Sequence, residues 1–261
     1  MRDLLTDFTE NLSDPDPVRR AQIAMKKPLP KRFYKEVGIR EGEAGFAIEL
    51  DGKTVKTPAR RPLAVPTEAL ALLVAAEWER QVDVINPTIM PVTRLVNTAL
   101  DGVADDREPV FQEIVRFSNS DLLCYRADAP EKLVERQSLR WGSVVDWVQD
   151  RIGVRFILVE GVIHREQPVE TLAAFAAALR KYDSALELAS LHTVTSLTGS
   201  ALLAFAFAEG RLTPDEVWSV AHLDEDWTNE QWGSDAAAEH RRAARFVEFQ
   251  AATDIFSTVQ P

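Results

Sequence analysis

Residues 44–58 read AGFAIELDGKTVKTP, and this stretch decides how the first part of the chain folds. Asp51-Gly52 tolerates the positive φ angles of a two-residue type I′ turn, and residues typical of strands flank it on both sides. The stretch therefore predicts a β-hairpin. RPLAVP at 61–66 predicts a third strand beside it.

A helix is predicted directly after the strands, where residues 67–81 read TEALALLVAAEWERQ. Thr67 is a suitable N-cap and Glu68 occupies the first turn. The apolar residues recur at the spacing of one helix face: Leu70, Leu73, Val74 and Trp78. Glu77 is predicted to be solvated. INPTIMP at 85–91 reads as an extended connector, and the domain boundary is predicted near it.

The rest of the chain has mainly helical periodicity. Helices are predicted near 92–101, 106–120, 131–152, 168–182, 185–209, 214–230 and 234–256, with one β-like interruption at 154–164. Together these patterns predict an α+β protein in three parts: a flexible N-terminal arm at 1–30, a small α/β domain with antiparallel strands at 31–90, and a helical bundle at 91–261.

Charge and cysteine content limit the partners and the compartment. Thirty Lys+Arg against 41 Asp+Glu give a net charge of −11, which disfavours nucleic acid and anionic membranes. Cys124 is the single cysteine, so no internal disulfide can form. The acidic N-terminus fits neither a secretory signal nor a mitochondrial presequence, and Leu186–Ala208 fits a central helix better than a membrane span. These features predict a cytoplasmic protein.

The segment from Thr213 to Glu239 is rich in carboxylates and aromatic rings. TPDE at 213–216 predicts a capping box, with Pro214 at the first helical position. If one helix winds onward from there, Asp224 falls within an apolar arc, and Trp218, His222 and Glu225 take the opposite side. The arc is predicted to contain Val217, Val220, Leu223 and Trp227.

A second carboxylate is predicted on an apolar stripe of the next helix. Glu239 projects onto the same face as Ala243, Phe246, Phe249 and Thr253. A buried carboxylate without a partner is costly, so Asp224 and Glu239 need either partners or a role. Two interpretations remain open: a solvated acidic face in which Arg241 or Arg242 neutralises Glu239, or a surface that binds a partner protein.

Catalytic readings have less support. A metal-dependent hydrolase could use Asp224, Asp226 and His222, because His222 and Asp226 lie four residues apart, but no established metal-ligand spacing is present. Cys124 lies in a stretch predicted to be buried and inert. No phosphate-binding loop occurs, and Gly199 is interpreted as a helix-packing glycine. A permanent structural subunit of a larger complex is a third reading.

Four stretches carry a resemblance to a known family. They are LDGKTVKTPARRPLAVPTEALALLVAAEWERQ at 50–81, INPTIMPVTRLVNTALD at 85–101, DLLCYRA at 121–127 and LDEDWTNEQWG at 223–233. In this order and spacing the chain resembles the assembly chaperones of the ATP synthase that are specific for the alpha subunit of the catalytic head. The resemblance extends from about Phe33 to Phe249.

The resemblance implies a chaperone rather than an enzyme, with a small α/β domain followed by an orthogonal helical bundle. It implies that the chain binds the unassembled alpha subunit and shields its beta-contacting surface, without a cofactor or nucleotide and without membrane insertion. A bacterial cytoplasmic location is expected, with eukaryotic relatives in the mitochondrial matrix. The expected partner-binding residues are Glu239, Glu225, Asp224 and Asp226, with Trp232 as a neighbouring anchor.

Overall fold

The structure is a computed structural model that describes residues 28–161 and 165–260. The predicted N-terminal arm therefore lies outside the described residues, except for 28–30. The described chain divides into two compact units, one ending at Asp101 and the other beginning at Gly102. The first unit holds an antiparallel sheet and the second is mainly helical, so the predicted α+β class is confirmed.

The sheet of the first unit is organised around one central strand. β1 (Val37–Gly42) and β2 (Gly45–Leu50) pair antiparallel, with Val37 opposite Leu50. β3 (Lys53–Thr54) and β4 (Ala64–Val65) both pair with β2. Asp51 and Gly52 have φ angles of 49° and 73°, as the predicted two-residue turn requires.

α1 (Glu68–Glu79) follows the sheet and begins as predicted, because the Thr67 hydroxyl accepts a hydrogen bond from the Leu70 amide. Glu77 was predicted to be solvated, but this is wrong: it is only 5% exposed. Its carboxylate accepts hydrogen bonds from the amides of Val92 and Thr93 and from the Thr93 hydroxyl. Burial raises the pKa of Glu77, and these donors oppose the rise.

The hydrogen bonds that Glu77 accepts help to explain where the first unit ends. A 3₁₀ turn (Pro87–Ile89) leads into α2 (Pro91–Thr98), whose N-cap residue, Met90, forms no side-chain cap bond. Glu77 supplies that cap from α1, so α2 belongs to the first unit. A π-helical turn (Ala99–Val103) follows, and Asp101 binds the Thr57 hydroxyl and the Ala59 amide. The unit therefore extends to Asp101 rather than to residue 90.

Eight α-helices are described in the second unit. They are α3 (Glu108–Asn119), α4 (Glu131–Ile152), α5 (Val169–Leu179), α6 (Ala185–Thr198), α7 (Ala201–Ala208), α8 (Pro214–Ala221), α9 (Leu223–Trp232) and α10 (Ala236–Val259). A 3₁₀ turn (Leu122–Cys124) precedes β5 (Tyr125–Arg126), which pairs parallel with β6 (Val159–Glu160).

The core of the second unit surrounds α7, in which all residues from Ala201 to Phe207 are buried. The prediction of one continuous helix at 185–209 is wrong because Gly199 has a φ of 71° and ends α6. Gly199 is thus a helix-terminating glycine rather than a packing one. Ser200 then caps α7 through the Leu203 amide. Buried Asp121 adds a bond to the Leu202 amide.

Candidate functional site

A break at His222 changes the geometry of the acidic-aromatic segment. α8 begins with the predicted capping box of Thr213 and Glu216, but it ends at Ala221, and His222 separates it from α9. The predicted faces assumed one continuous helix, so they do not apply to the residues after His222. Asp224 is exposed rather than placed in the apolar arc, and its Oδ1 accepts a hydrogen bond from Gln137 Nε2 at 2.8 Å.

Trp218, predicted on the side opposite the apolar arc, is buried like Val217 and Val220 of the arc. Trp218 packs against Phe246 and Phe249 of α10, with ring centroids 5.2 and 5.0 Å away. His222 lies 4.0 Å from the Trp218 ring, and its Nδ1 lies 2.8 Å from the Trp218 carbonyl oxygen. Burial is the largest influence on the pKa of His222, which is lowered. The adjacent large residues Val217 and Trp218 were the available sequence signal for burial on both sides.

Glu239 is exposed, although the stripe on which it is predicted to lie is otherwise apolar. Further along α10 the predicted stripe does face the core, because Phe249 and Thr253 are fully buried there. α10 has 24 residues and a length of about 36 Å. Its first turns extend beyond the core, so the stripe reaches solvent at Ala243 and Glu239. Glu239 therefore needs no neutralising partner.

The exposed end of the stripe forms one side of a groove with a volume of about 320 Å³. Trp218, Ala243 and Phe246 supply its apolar surface. Glu225 from α9 and Glu239 from α10 also line it. Neither carboxylate forms an ion pair with another described residue. The fold thus combines apolar surface with a net negative charge in one accessible depression, since three carboxylates and one guanidinium line it.

The remaining predicted residues lie around this groove. Asp226 forms an ion pair with Arg242, and the hydrogen bond that Arg242 donates to it raises the pKa of the guanidinium. Arg242 also lines the groove. Trp232, at the last position of α9, is 86% exposed. The structure brings Glu225 and Glu239 together, while Asp224 is held toward α4 through Gln137.

α9 is attached to the rest of its unit mainly by polar contacts. Leu223 is its only buried residue. Arg136 of α4 donates two hydrogen bonds of 2.8 Å to the Glu230 carboxylate and places its guanidinium 4.9 Å from the Trp227 ring centroid. The wall of the groove that carries Glu225 is therefore positioned by surface charges more than by core packing.

The alternative metal site finds no support in residues 28–161 and 165–260. No group of three or more His, Cys, Asp or Glu side chains there could hold a metal ion. His222, Asp224 and Asp226 each contact a different element: Trp218 of α8, Gln137 of α4 and Arg242 of α10. Cys124 is buried as predicted, and burial raises the pKa of its thiol.

Comparisons with known proteins agree on one relationship. The family model described as ATP12 chaperone protein matches residues 31–149. The mitochondrial protein atp12 of Schizosaccharomyces pombe is 25% identical over 227 residues, covering 82% of this chain and 78% of that protein.

Two crystal structures are similar over most or all of the chain, and the first includes the groove, which lies outside the family-model match. The Atu1473 protein of Agrobacterium tumefaciens is 58% identical, with a TM-score of 0.87, over 100% of this chain and 97% of its own. Atp12 from Paracoccus denitrificans is 34% identical, with a TM-score of 0.82, over 88% of this chain and 99% of its own.

Proposed function

The chain belongs to the ATP12 chaperone family, and we propose that it assists assembly of the ATP synthase by binding the unassembled alpha subunit of the catalytic head. It is a chaperone and not an enzyme. In this proposal the chain covers the surface of alpha that later contacts the beta subunit. The groove between α8, α9 and α10 is the proposed contact site.

The single observation that supports this site best is the pairing of apolar surface with unpaired carboxylates. An unassembled subunit exposes apolar surface that would otherwise aggregate, and the partly exposed Phe246 and the exposed Ala243 offer a complementary surface. Glu225 and Glu239 remain available for arginine or lysine side chains of the client. Trp232, exposed nearby on α9, supplies a further aromatic anchor.

Asp224 and Asp226 take secondary roles in this proposal. Asp226 is already neutralised by Arg242, and Asp224 is bonded to Gln137. Asp224 keeps its charge and adds negative potential, whereas Asp226 helps to join α9 to α10 through Arg242, so neither is proposed to bind the client directly. This ranks Glu239 and Glu225 above the two aspartates as client-binding residues.

Release requires only competition. If the beta subunit binds an overlapping surface of alpha, it displaces the chaperone without hydrolysis, and the chaperone needs neither nucleotide nor metal. The proposed location is the bacterial cytoplasm. No helix in the described part of the chain is long and apolar enough to cross a bilayer.

The test is capture of purified alpha subunit by the Glu225→Lys plus Glu239→Lys variant. We expect the variant to fold normally, because Glu239 is exposed, Glu225 is half-buried, and neither carboxylate forms a hydrogen bond or ion pair with another described residue. Capture should weaken by at least about 30-fold, since the client's cations would meet two cations.

A matched control carries the same change in charge elsewhere: Glu43→Lys plus Glu166→Lys, at two exposed positions outside the groove. It should capture alpha as the unmodified chain does. Normal capture by a folded Glu225→Lys plus Glu239→Lys variant would remove the groove from the proposal. Failure of the unmodified chain to capture alpha would remove the client assignment itself.

A further inference from the structure

A second surface, in the first unit, has the character of an interaction site. Residues 29–34 and 82–85 run antiparallel beside each other, with Lys31 opposite Val84. Hydrogen bonds from the Arg32 amide to the Asp83 carbonyl and from the Ile85 amide to the Pro30 carbonyl fix this register. We call this pair of segments the ribbon.

The two faces of the ribbon differ sharply. Because side chains alternate along extended chain, Tyr34 and Ile85 share one face, and both are buried in an apolar cluster with Leu50 and Met90. The opposite face carries Phe33, which is 62% exposed, and Val82, which is 77% exposed. The register places these two side chains opposite each other.

This exposed face is a patch and not a scatter of single residues. Eleven large apolar side chains are exposed in the described part of the chain, and four of them lie on this ribbon: Leu29, Phe33, Val82 and Val84. Scattered apolar residues on a surface are ordinary, whereas a contiguous cluster marks an interaction surface.

The patch is held rigidly. The Arg32 guanidinium donates hydrogen bonds to the carbonyl oxygens of Tyr34 and Glu79, at 3.2 and 3.0 Å, and pairs with the Glu79 carboxylate. The Tyr34 hydroxyl donates to the Trp78 carbonyl at 2.7 Å. These bonds tie the ribbon to α1, so a partner would bind without first ordering it.

Lys31 indicates the chemistry of the partner. By the register it lies on the same face as Phe33 and Val84, it is exposed, and it forms no ion pair with another described residue. A partner that covers the apolar side chains must also cover this ammonium group. A covered ammonium is costly without a carboxylate beside it. The matching surface is therefore apolar with an acidic side chain.

We propose that the ribbon face is a second client-binding surface, which takes an apolar, carboxylate-bearing segment of the same polypeptide that the groove binds. This inference rests on the proposed function. The groove carries unpaired carboxylates and the ribbon an unpaired ammonium group, so the two surfaces would recognise client segments of opposite charge.

The first test is the Phe33→Ser plus Val82→Ser variant of the full chain, in the same alpha-subunit capture assay. We expect capture to weaken by at least about tenfold, because apolar anchors dominate binding energy. The matched control is Leu72→Ser plus Val169→Ser, at two exposed apolar positions outside the ribbon. It should bind normally. Lys31→Glu should also weaken capture, while Lys31→Arg should preserve it.

The second test identifies the occupant directly, by placing the photoreactive residue benzoylphenylalanine at position 33, with position 72 as the control. An adduct with alpha from position 33 alone supports the proposal. A homodimer adduct, an adduct with the chain's own residues 1–27, or no adduct with alpha overturns it. Unchanged capture by the double serine variant also overturns it, while capture by the unmodified chain would leave the proposed function standing.

Discussion

Asp121 shows how much one buried carboxylate can influence this fold. The side chain is fully buried, and it accepts hydrogen bonds from the Leu123 amide, the Ser200 hydroxyl and the Leu202 amide. Burial raises its pKa to about 6, and the hydrogen bonds limit the rise. Asp121 thus joins the start of the 3₁₀ turn to the N-terminus of α7.

The raised pKa predicts a specific pH dependence of stability. Between the unfolded pKa near 4 and the folded pKa of about 6, the folded state binds the additional proton. The free energy of unfolding contributed by this group is therefore largest below pH 4 and falls as the pH rises to about 6, by up to about 3 kcal/mol.

Asp121→Asn should remove this contribution, although it should also lower stability at every pH because an amide cannot accept all three bonds. Denaturant unfolding at pH 4 and pH 7 measures both effects. Asp128→Asn, at an exposed position, is the control and should keep the unmodified pH dependence. An Asp121→Asn variant with the same pH dependence as the unmodified chain would contradict the assignment.

Single residues were the hardest to predict from sequence, for a physical reason. Asp121 and Glu77 are bonded by amides that lie 81 and 16 residues away along the chain. Nothing local distinguishes them from solvated acids. Helical phase assigned Asp224 and Glu239 to apolar faces, yet both side chains are exposed. Phase describes a face of a helix and cannot show whether another element covers it.

Elements were predicted well where the signal is local. The Asp51-Gly52 turn, the Thr67 cap and the box of Thr213 and Glu216 depend on neighbouring residues, and all are confirmed. Element ends inside apolar runs were missed. The apolar periodicity continues through Gly199 and His222, although a helix ends at each of these residues. At the site, the participation of Glu239 and Phe246 in one stripe was visible in the sequence, but the groove was not.

At the scale of elements, α9 is the part of the site most sensitive to charge. Arg136→Glu should loosen α9, because it replaces the two bonds to Glu230 with repulsion and removes the contact with Trp227. Hydrogen exchange of α9 amides should become several-fold faster. Adding Glu230→Arg should restore slow exchange by re-forming the pair in reverse.

The control for this effect breaks an equivalent pair elsewhere. Arg180 binds both oxygens of Glu108 at 2.7 Å, at positions outside α9. Arg180→Glu should leave exchange in α9 unchanged. If Arg136→Glu also leaves it unchanged, core packing rather than charge holds the helix.

For the whole molecule, the net charge of −11 predicts salt-dependent client capture. If the groove attracts client cations, raising NaCl from about 0.05 to about 0.5 M should lower the association rate by about tenfold or more, with a smaller change in the dissociation rate. Stopped-flow fluorescence with alpha measures both rates. An association rate that is independent of salt would mean that charge does not guide the encounter.

The overall class could be predicted from sequence because patterning of polar and apolar residues governs it. Alternating strands followed by long helical periodicity gave the α+β architecture, which the structure confirms. The limits of the first unit were harder to predict from the sequence. Its end at Asp101 depends on Glu77 reaching α2 and on Asp101 reaching Thr57. Such contacts exist only once the chain has folded.

The exposed position of Trp232 has an optical consequence. The chain has six tryptophans, and Trp232 is 86% exposed. Its emission is therefore strongly red-shifted and open to dissolved quenchers such as iodide. An incoming polypeptide that covers this ring would shift its emission to shorter wavelength, so the chain carries its own fluorescent probe of occupancy.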